Sequence, residues 1–500
     1  MPALERRAGK GIDSKASNCR TSRSEFKFEL PTLSFVGAVF ATVMDILKTL
    51  AKILVIAMVY FGVGPLLGIL MRGRDLFRRL ALGFMAFELV RPPSDFTLML
   101  YSIEEYRGHT KGFEFNFLEA IAIGFAVAAI LEKRRDFKWL PPGLLPWFLW
   151  IGVGILSIAH AIEPLYVLMP AFKFAKMGII LVGVFAALRD EKDVLAMMRG
   201  FAIALLVQLV VSLWSRYVQG GYRVMGWFEH QNPMAMWSYM IAFPILGLAL
   251  AKETKPRDVY LFFAAFGAAG LVVVLSVSRA SLAAFAVGSA LVLLGSFLQG
   301  ITMRRMALCV LGFVGGILVM LMAADTFMER MGVDDSPKND LRFALNNQSA
   351  AMLKDHPLVG IGWNNFGIAN SRPHGTKYSA ILERWEQNRG RNIYPEQFQA
   401  NPLTESLYWL ILAENGMLGF MTFLIFLAFT QWYGIRSTVA FWRTPLGLML
   451  FGILVALTIT YLHGKVERVL TQTKNLTTWI MLCALLSKTE WWRREGRRIQ

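Results

Sequence analysis

The chain has 500 residues, of which 55% are hydrophobic and only 17% charged, with a formal net charge of +17 and a mean hydropathy of +0.46. Soluble domains carry about 45–50% apolar and about 25% charged residues, so this balance excludes a water-soluble multidomain enzyme, a disordered chain and a soluble nucleic-acid binder. Three cysteines, Cys19, Cys309 and Cys483, with no CxxC spacing, exclude a disulfide scaffold and read as small hydrophobes.

The apolar residues gather into runs such as Ile53–Met71, Tyr166–Leu188 and Met306–Ala324. A helix of about 20 apolar residues crosses a bilayer core of about 30 Å. The expected fold is therefore an all-α polytopic membrane protein of 12–14 transmembrane helices. In chain order the candidate spans are 33–50, 53–71, 80–102, 113–131, 144–161, 166–188, 198–217, 233–251, 259–277, 280–298, 306–324, 412–433, 446–462 and 476–487. The lower count allows for Asp45 and Lys48 in the first and for Arg91-Pro92-Pro93 in the third.

Basic residues punctuate these runs. They cluster in the N-terminal tail (Arg6, Arg7, Lys10, Lys15, Arg20, Arg23, Lys27), at Arg72–Arg79, Lys133–Lys138, Arg189–Arg199, Lys252–Arg257, Arg304–Arg305, Arg436–Arg443 and Lys488–Arg498. An excess of Lys and Arg in short loops marks the cytoplasmic side. Both termini are basic, which predicts an even number of crossings. The tail does not resemble a cleaved signal peptide. The division expected is a cytoplasmic tail at 1–32, membrane helices at 33–324, a large periplasmic loop at 325–403, further helices at 404–487 and a second basic tail at 488–500. The loop has nearly balanced charge, Gly and Pro punctuation and aromatic residues such as Trp363, Tyr378 and Trp385. It is too apolar for a plain linker and predicts short helices folded over the membrane surface.

Polar residues beside the spans are costly and are functional candidates. Arg279 lies in Leu275-Ser-Val-Ser-Arg-Ala-Ser281 between two apolar runs. It reads either as an arginine snorkelling to headgroups or as a guanidinium aimed at an anion, with Ser276, Ser278 and Ser281 as further donors. Arg223, Glu229, His230 and Asn232-Pro233 precede the span at 233–251, with Asn-Pro reading as a cap and first turn. Around the loop come Asp340-Leu-Arg342, Asp355-His356-Pro357 and Asn401-Pro402-Leu-Thr-Glu405. Asn401-Pro402 predicts a helix start with Glu405 in the first turn and Tyr408 one turn on. An acid there is commonly a partner for the helix dipole. Glu414-Asn-Gly416 predicts an interruption before Met417–Tyr433.

Four pieces in order resemble the O-antigen ligase and O-antigen polymerase superfamily of bacterial envelope glycan transferases. They are Arg223…Gly226-Trp-Phe…Asn232-Pro233, Ser278-Arg279-Ala-Ser281, Pro357-Leu-Val-Gly360-Ile-Gly362 and Tyr408…Glu414-Asn-Gly416-Met-Leu-Gly419. The resemblance implies a metal-independent enzyme without cofactors in the bacterial inner membrane, active at the periplasmic face. It would move an undecaprenyl-diphosphate-linked oligosaccharide onto an acceptor hydroxyl of a glycan, lipid or protein, in envelope polysaccharide or lipopolysaccharide biosynthesis. It also implies that Arg279, with Arg223 and Arg342, binds the donor diphosphate.

One departure stands out. Many relatives carry a His-Asn pair where this chain has Glu405-Ser406, and that His is thought to be the base. Either Glu405 takes the role, or His230, His356 or His374 supplies it, or the chemistry is changed. Polymerase and protein glycosyltransferase share these residues, and a membrane transporter or exporter is the alternative from another class. No P-loop, HExxH, nucleophile elbow or dinucleotide fingerprint is present in the sequence.

Overall fold

A computed structural model describes residues 31–496 apart from 92–96, 104–105, 107, 135–136, 222, 323–335, 371–376 and 381–402. Helix α1 spans Pro31–Ala57, and a π-helical turn at Met58–Val63 leads into α2, Gly64–Met71, with no loop between the expected spans 33–50 and 53–71. The chain divides into two units, Met1–Ala51 and Lys52–Gln500, and the helical bundle belongs to the second.

Helix α3 covers Asp75–Phe87 and stops there, so the expected span 80–102 is not one helix. Instead Thr97–Ser102 (β1) pairs antiparallel with Gly112–Asn116 (β2), with Thr97 opposite Asn116 and Leu98 opposite Phe115. The sequence holds the reason: Pro92 and Pro93 lack the N–H that a helix interior requires and disfavour helix in the residue before each. The run at 113–131 therefore opens as a strand. Helix α4, Phe117–Leu131, starts from a capping box between Asn116 and Glu119.

The remaining helices are α5 (Leu144–Leu156), α6 (Pro164–Ala187), α7 (Glu191–Tyr217), α8 (Gln231–Leu250), α9 (Pro256–Leu275), α10 (Arg279–Phe297), α11 (Met303–Met322), α12 (Ser336–Asp355), α13 (Phe366–Ala369), α14 (Leu407–Ala440), α15 (Pro445–His463) and α16 (Thr473–Arg494). Among the described residues eight helices are long and apolar enough to cross a membrane, and two shorter apolar helices lie at Phe117–Leu131 and Leu144–His160. The protein is an all-α polytopic membrane protein with one small hairpin. The fourteen runs read from the sequence are not fourteen separate membrane-length helices.

Helix α8 is the axis of this bundle. Every residue from Pro233 to Leu250 is buried, among α9, α10 and α15. Its crossing with α15 is close, since a Cβ at Gly247 would strike the Leu448 carbonyl and one at Gly452 the Phe243 carbonyl. Small residues at a crossing let backbones approach where no hydrophobic force separates helix from solvent. Val210, Trp214 and Tyr217 of α7 and Leu291 and Leu294 of α10 are exposed, as suits a hydrocarbon solvent.

The connections fall at two ends. At one, Arg78 of α3 pairs with Asp193 of α7 at 2.8 Å, and Arg304 donates to the Ala251 carbonyl past the end of α8 at 2.9 Å. The basic clusters at Arg72–Arg79, Arg189–Arg199, Lys252–Arg257 and Arg304–Arg305 collect there. At the other end lie the hairpin, the 218–230 and 464–472 connections, the Ser276–Arg279 turn and the segment 336–370.

Candidate active site

Three helix termini meet beneath α12. Helix α14 begins at Leu407 and not at Asn401-Pro402, which lie outside the described residues. Ser406 is its cap, its side chain accepting from the Trp409 N–H at 3.5 Å. Glu405 therefore stands just before the helix and not in its first turn. The Leu407 N–H donates to the Gly464 carbonyl at 2.9 Å, and the Tyr408 hydroxyl donates to the Tyr461 carbonyl at 2.7 Å. These bonds fix the start of α14 to the end of α15.

The turn after α15 carries Glu467. Its Oε1 accepts from Asn232 Nδ2 at 2.6 Å, which brings in the start of α8. Asn232 is not the α8 cap expected from the sequence; His230 is, with its Nδ1 accepting from the Asn232 N–H at 3.3 Å. The Asn232 amide is thereby freed to bind Glu467. From α12, Arg342 completes the group. Its Nε donates to Glu405 Oε2, and its second guanidinium nitrogen lies 3.8 Å from Glu467 Oε1.

The site is electrostatically uneven. Glu405 and Arg342 are each 44% exposed, whereas Glu467 is 13% exposed. Burial, reinforced by the Glu405 charge, pushes the Glu467 carboxyl up to about 7 against the opposing pull of Arg342, Arg468 and Asn232. His230 is held below its ordinary value by partial burial and the Arg223 guanidinium, with Glu405 opposing. Nothing in the sequence pattern singles out Glu467. It lies in a short turn between two spans and outside every motif, and only the meeting of α8, α12, α14 and α15 reveals it.

Arg223 and Arg279 occupy the same end. The Val224 N–H donates to the Leu275 carbonyl at 3.4 Å, which docks the 223–230 segment beside the turn leading to Arg279. Arg279 is the first residue of α10 and is exposed. Ser276 bonds the Val273 carbonyl at 2.6 Å and Ser278 bonds Ser281 at 3.0 Å, so those hydroxyls are engaged within the turn. His356 is separated from this group. It follows the far end of α12, about 20 Å from Arg342 at a helix rise of about 1.5 Å per residue, and packs against His160 with ring centroids 4.5 Å apart and the rings tilted by 45°. His374 lies outside the described residues.

Beside Ser406 and Lys465 opens an apolar groove of about 730 Å³ between α14 and α15, lined chiefly by Trp409, Leu412, Phe420, Leu424 and Leu462. Two of the residues lining this groove, Ser406 and Lys465, lie one and two residues from Glu405 and Glu467. Among the described residues no group of three or more His, Cys, Asp or Glu could hold a metal ion.

The other motif residues build the frame that holds this cluster. Helix α14 breaks at Gly416, whose φ of 64° and ψ of −167° are open to glycine. Residues 357–362 lie along the break. Ile361 and Gly362 N–H groups donate to the Ala413 and Glu414 carbonyls at 3.0 and 3.2 Å, and Met417 and Leu418 N–H groups donate to the Pro357 and Leu358 carbonyls at 2.8 and 3.0 Å. The two stretches thus supply each other's backbone partners. Leu345 and Met352 of α12 join Ile361, Phe366, Leu403 and Leu410 in a separate apolar core, which seats α12 over the start of α14.

No curated protein matches the chain. Residues 263–424 match the family model described as O-antigen ligase, a stretch that holds Arg279, Arg342, Glu405 and the clasp between residues 357–362 and Gly416. This match covers about a third of the chain, and together with the four motifs in order it is what the chain shares with the O-antigen ligase and O-antigen polymerase superfamily.

Proposed function

We propose that the protein transfers an oligosaccharide from a polyprenyl diphosphate carrier, undecaprenyl diphosphate in bacteria, to an acceptor hydroxyl at the periplasmic face of the inner membrane. The observation that carries this reading is the charged cluster of Arg342, Glu405 and Glu467, whose two glutamates lie close in sequence to Ser406 and Lys465 of the apolar groove between α14 and α15. A lipid diphosphate has the matching form, an anionic head on a long hydrocarbon chain. The gathering of basic clusters at the opposite end supports the sidedness.

In this reading the polyprenyl chain lies in the groove, and Arg279, Arg223 and Arg342 neutralise the diphosphate through charge-assisted hydrogen bonds. The acceptor oxygen attacks the anomeric carbon. The bond from that carbon to the phosphate oxygen breaks, and the electron pair leaves with the carrier diphosphate, stabilised by the arginines. The acceptor proton passes to Glu405, which fills the position of the family's histidine. No step in this scheme calls on a metal ion or a nucleotide.

The test is transfer by the purified protein in lipid vesicles, given an undecaprenyl-diphosphate oligosaccharide and a panel of glycan, lipid and protein acceptors. A single shifted acceptor band identifies a ligase or protein glycosyltransferase, and a ladder a polymerase. A donor left intact across the panel overturns the transferase reading and brings a transporter forward.

A further inference from the structure

Glu467 lies outside the matched stretch and outside every motif, yet it is the most enclosed ionisable group of the cluster. Asn232 holds one of its oxygens at 2.6 Å, and Arg342 stands 3.8 Å from the same oxygen while paired with Glu405. Two carboxylates thus face one guanidinium. The groups that bear on Glu467 are Glu405 before α14, Arg342 on α12, Arg468 in its own turn, Asn232 on α8, and Tyr239, whose hydroxyl is bonded to His463 Nδ1 at 2.8 Å.

This geometry sets a difficulty for a base at Glu405. Arg342 covers Glu405 Oε2, and a carboxylate covered by a guanidinium is poorly placed to receive a proton. Resting on the transferase reading, we propose that Glu467 is a positioning residue that takes the Arg342 guanidinium from Glu405, unmasking Glu405 to accept the proton of the acceptor hydroxyl. The transfer is short. A closure of about 1 Å brings the 3.8 Å separation to charge-assisted hydrogen-bond length. Asn232 fixes the receiving carboxylate, so the guanidinium and not the glutamate moves.

The hand-off requires Glu467 to be ionised, because a neutral carboxyl cannot compete with Glu405 for the cation. Burial holds its proton up to about pH 7. Below that, Arg342 stays on Glu405 and transfer is slow; above it, Arg342 is drawn across and Glu405 is free. The proton of the acceptor ends on Glu405, and Glu467 itself exchanges none with substrate.

The experiment is a pH–rate profile of transfer by the full-length protein in vesicles with an undecaprenyl-diphosphate oligosaccharide donor. Wild type is expected to show kcat rising through an inflection near about pH 7. Glu467→Gln is expected to lose that inflection and at least about tenfold in kcat, with donor KM changed by less than about threefold. Glu467→Asp is expected to restore the inflection in part. Arg342→Lys, which keeps the charge but cannot bridge two carboxylates, serves if the glutamine variant fails to fold and is expected to lose the inflection as well. A Glu467→Gln or Arg342→Lys profile superimposable on wild type overturns the hand-off and leaves the transferase reading standing. Absence of transfer by wild type across the acceptor panel overturns that reading itself.

Discussion

His109 Nε2 stands 3.0 Å from Glu414 Oε2, and both side chains are fully enclosed. The pair joins the loop of the β-hairpin to the broken helix α14, and the other Glu414 oxygen accepts the Phe366 N–H at 3.1 Å. Lys173 of α6 donates to the His109 carbonyl at 3.2 Å, which carries the connection into the bundle. Glu414, a motif residue, therefore acts as a buried tie among three segments and does not face the cluster around Glu405.

Removing one member of such a pair leaves the other enclosed without its partner. Glu414→Ala is expected to cost about 1–3 kcal/mol, the cost of leaving the buried Phe366 N–H without its acceptor, and Glu414→Gln less, because an amide oxygen can still accept from Phe366. Thermal unfolding in detergent checks this. A Glu414→Ala protein as stable as wild type would show that the tie contributes nothing.

The clasp around Gly416 makes a separate prediction. A Cβ at Gly416 would strike the Leu358 carbonyl, and one at Gly360, where φ is 74°, would strike the Glu414 carbonyl. Each position combines a left-handed backbone with a close approach. Gly416→Ala and Gly360→Ala are each expected to destabilise by more than the roughly 1–2 kcal/mol of the backbone penalty alone. Because both open the same contact, the double variant should lose less than the sum of the two. Additive losses measured by unfolding would mean that the two stretches do not support each other.

The membrane class is legible in the sequence, because apolar runs and basic punctuation are properties of the chain itself. So is the break at Gly416, since Glu414-Asn-Gly416 is local turn chemistry. The hairpin at Thr97–Asn116 is not, since the surrounding residues are as apolar as a span and only the adjacent prolines mark the change. Glu405 and Arg342 stand out as candidates, but their pairing across 63 positions does not. The exchange of the cap role from Asn232 to His230, and the whole of Glu467, depend on helix ends remote in sequence, which local pattern cannot bring together.

The transferase reading sorts the cluster by what each variant should change. Arg279→Ala is expected to abolish transfer while the protein remains folded in the membrane, since a lost arginine no longer offsets charge on the departing diphosphate. Glu405→Gln is expected to lower kcat by about 10²–10⁴, the range of a general base, with donor KM little affected. Steady-state kinetics over donor concentration separate the two effects. Full activity in Arg279→Ala would remove it from the diphosphate site, and unchanged kcat in Glu405→Gln would move the base elsewhere.

The same enclosed carboxyl that governs the proposed hand-off should leave a mark on stability, independent of any substrate. Glu467 is raised in the folded protein from its ordinary 4.5 to about 7, so the folded state binds the proton more tightly than the unfolded one. Its contribution is fully present below about pH 4.5 and is lost as pH rises through about 7. The magnitude is at most on the order of 3 kcal/mol, from about 1.4 kcal/mol for each unit of displacement. His230 acts in the opposite sense. Its proton is held less tightly in the folded protein, so its contribution grows as pH rises through its own titration. The apparent Tm in detergent is expected to fall between about pH 5 and about pH 8 in wild type. Glu467→Gln should flatten that slope, because the amide carries no proton to lose, while His230→Gln should steepen it. Equal slopes in wild type and Glu467→Gln would show that Glu467 is ionised throughout this range and that its burial does not hold its proton.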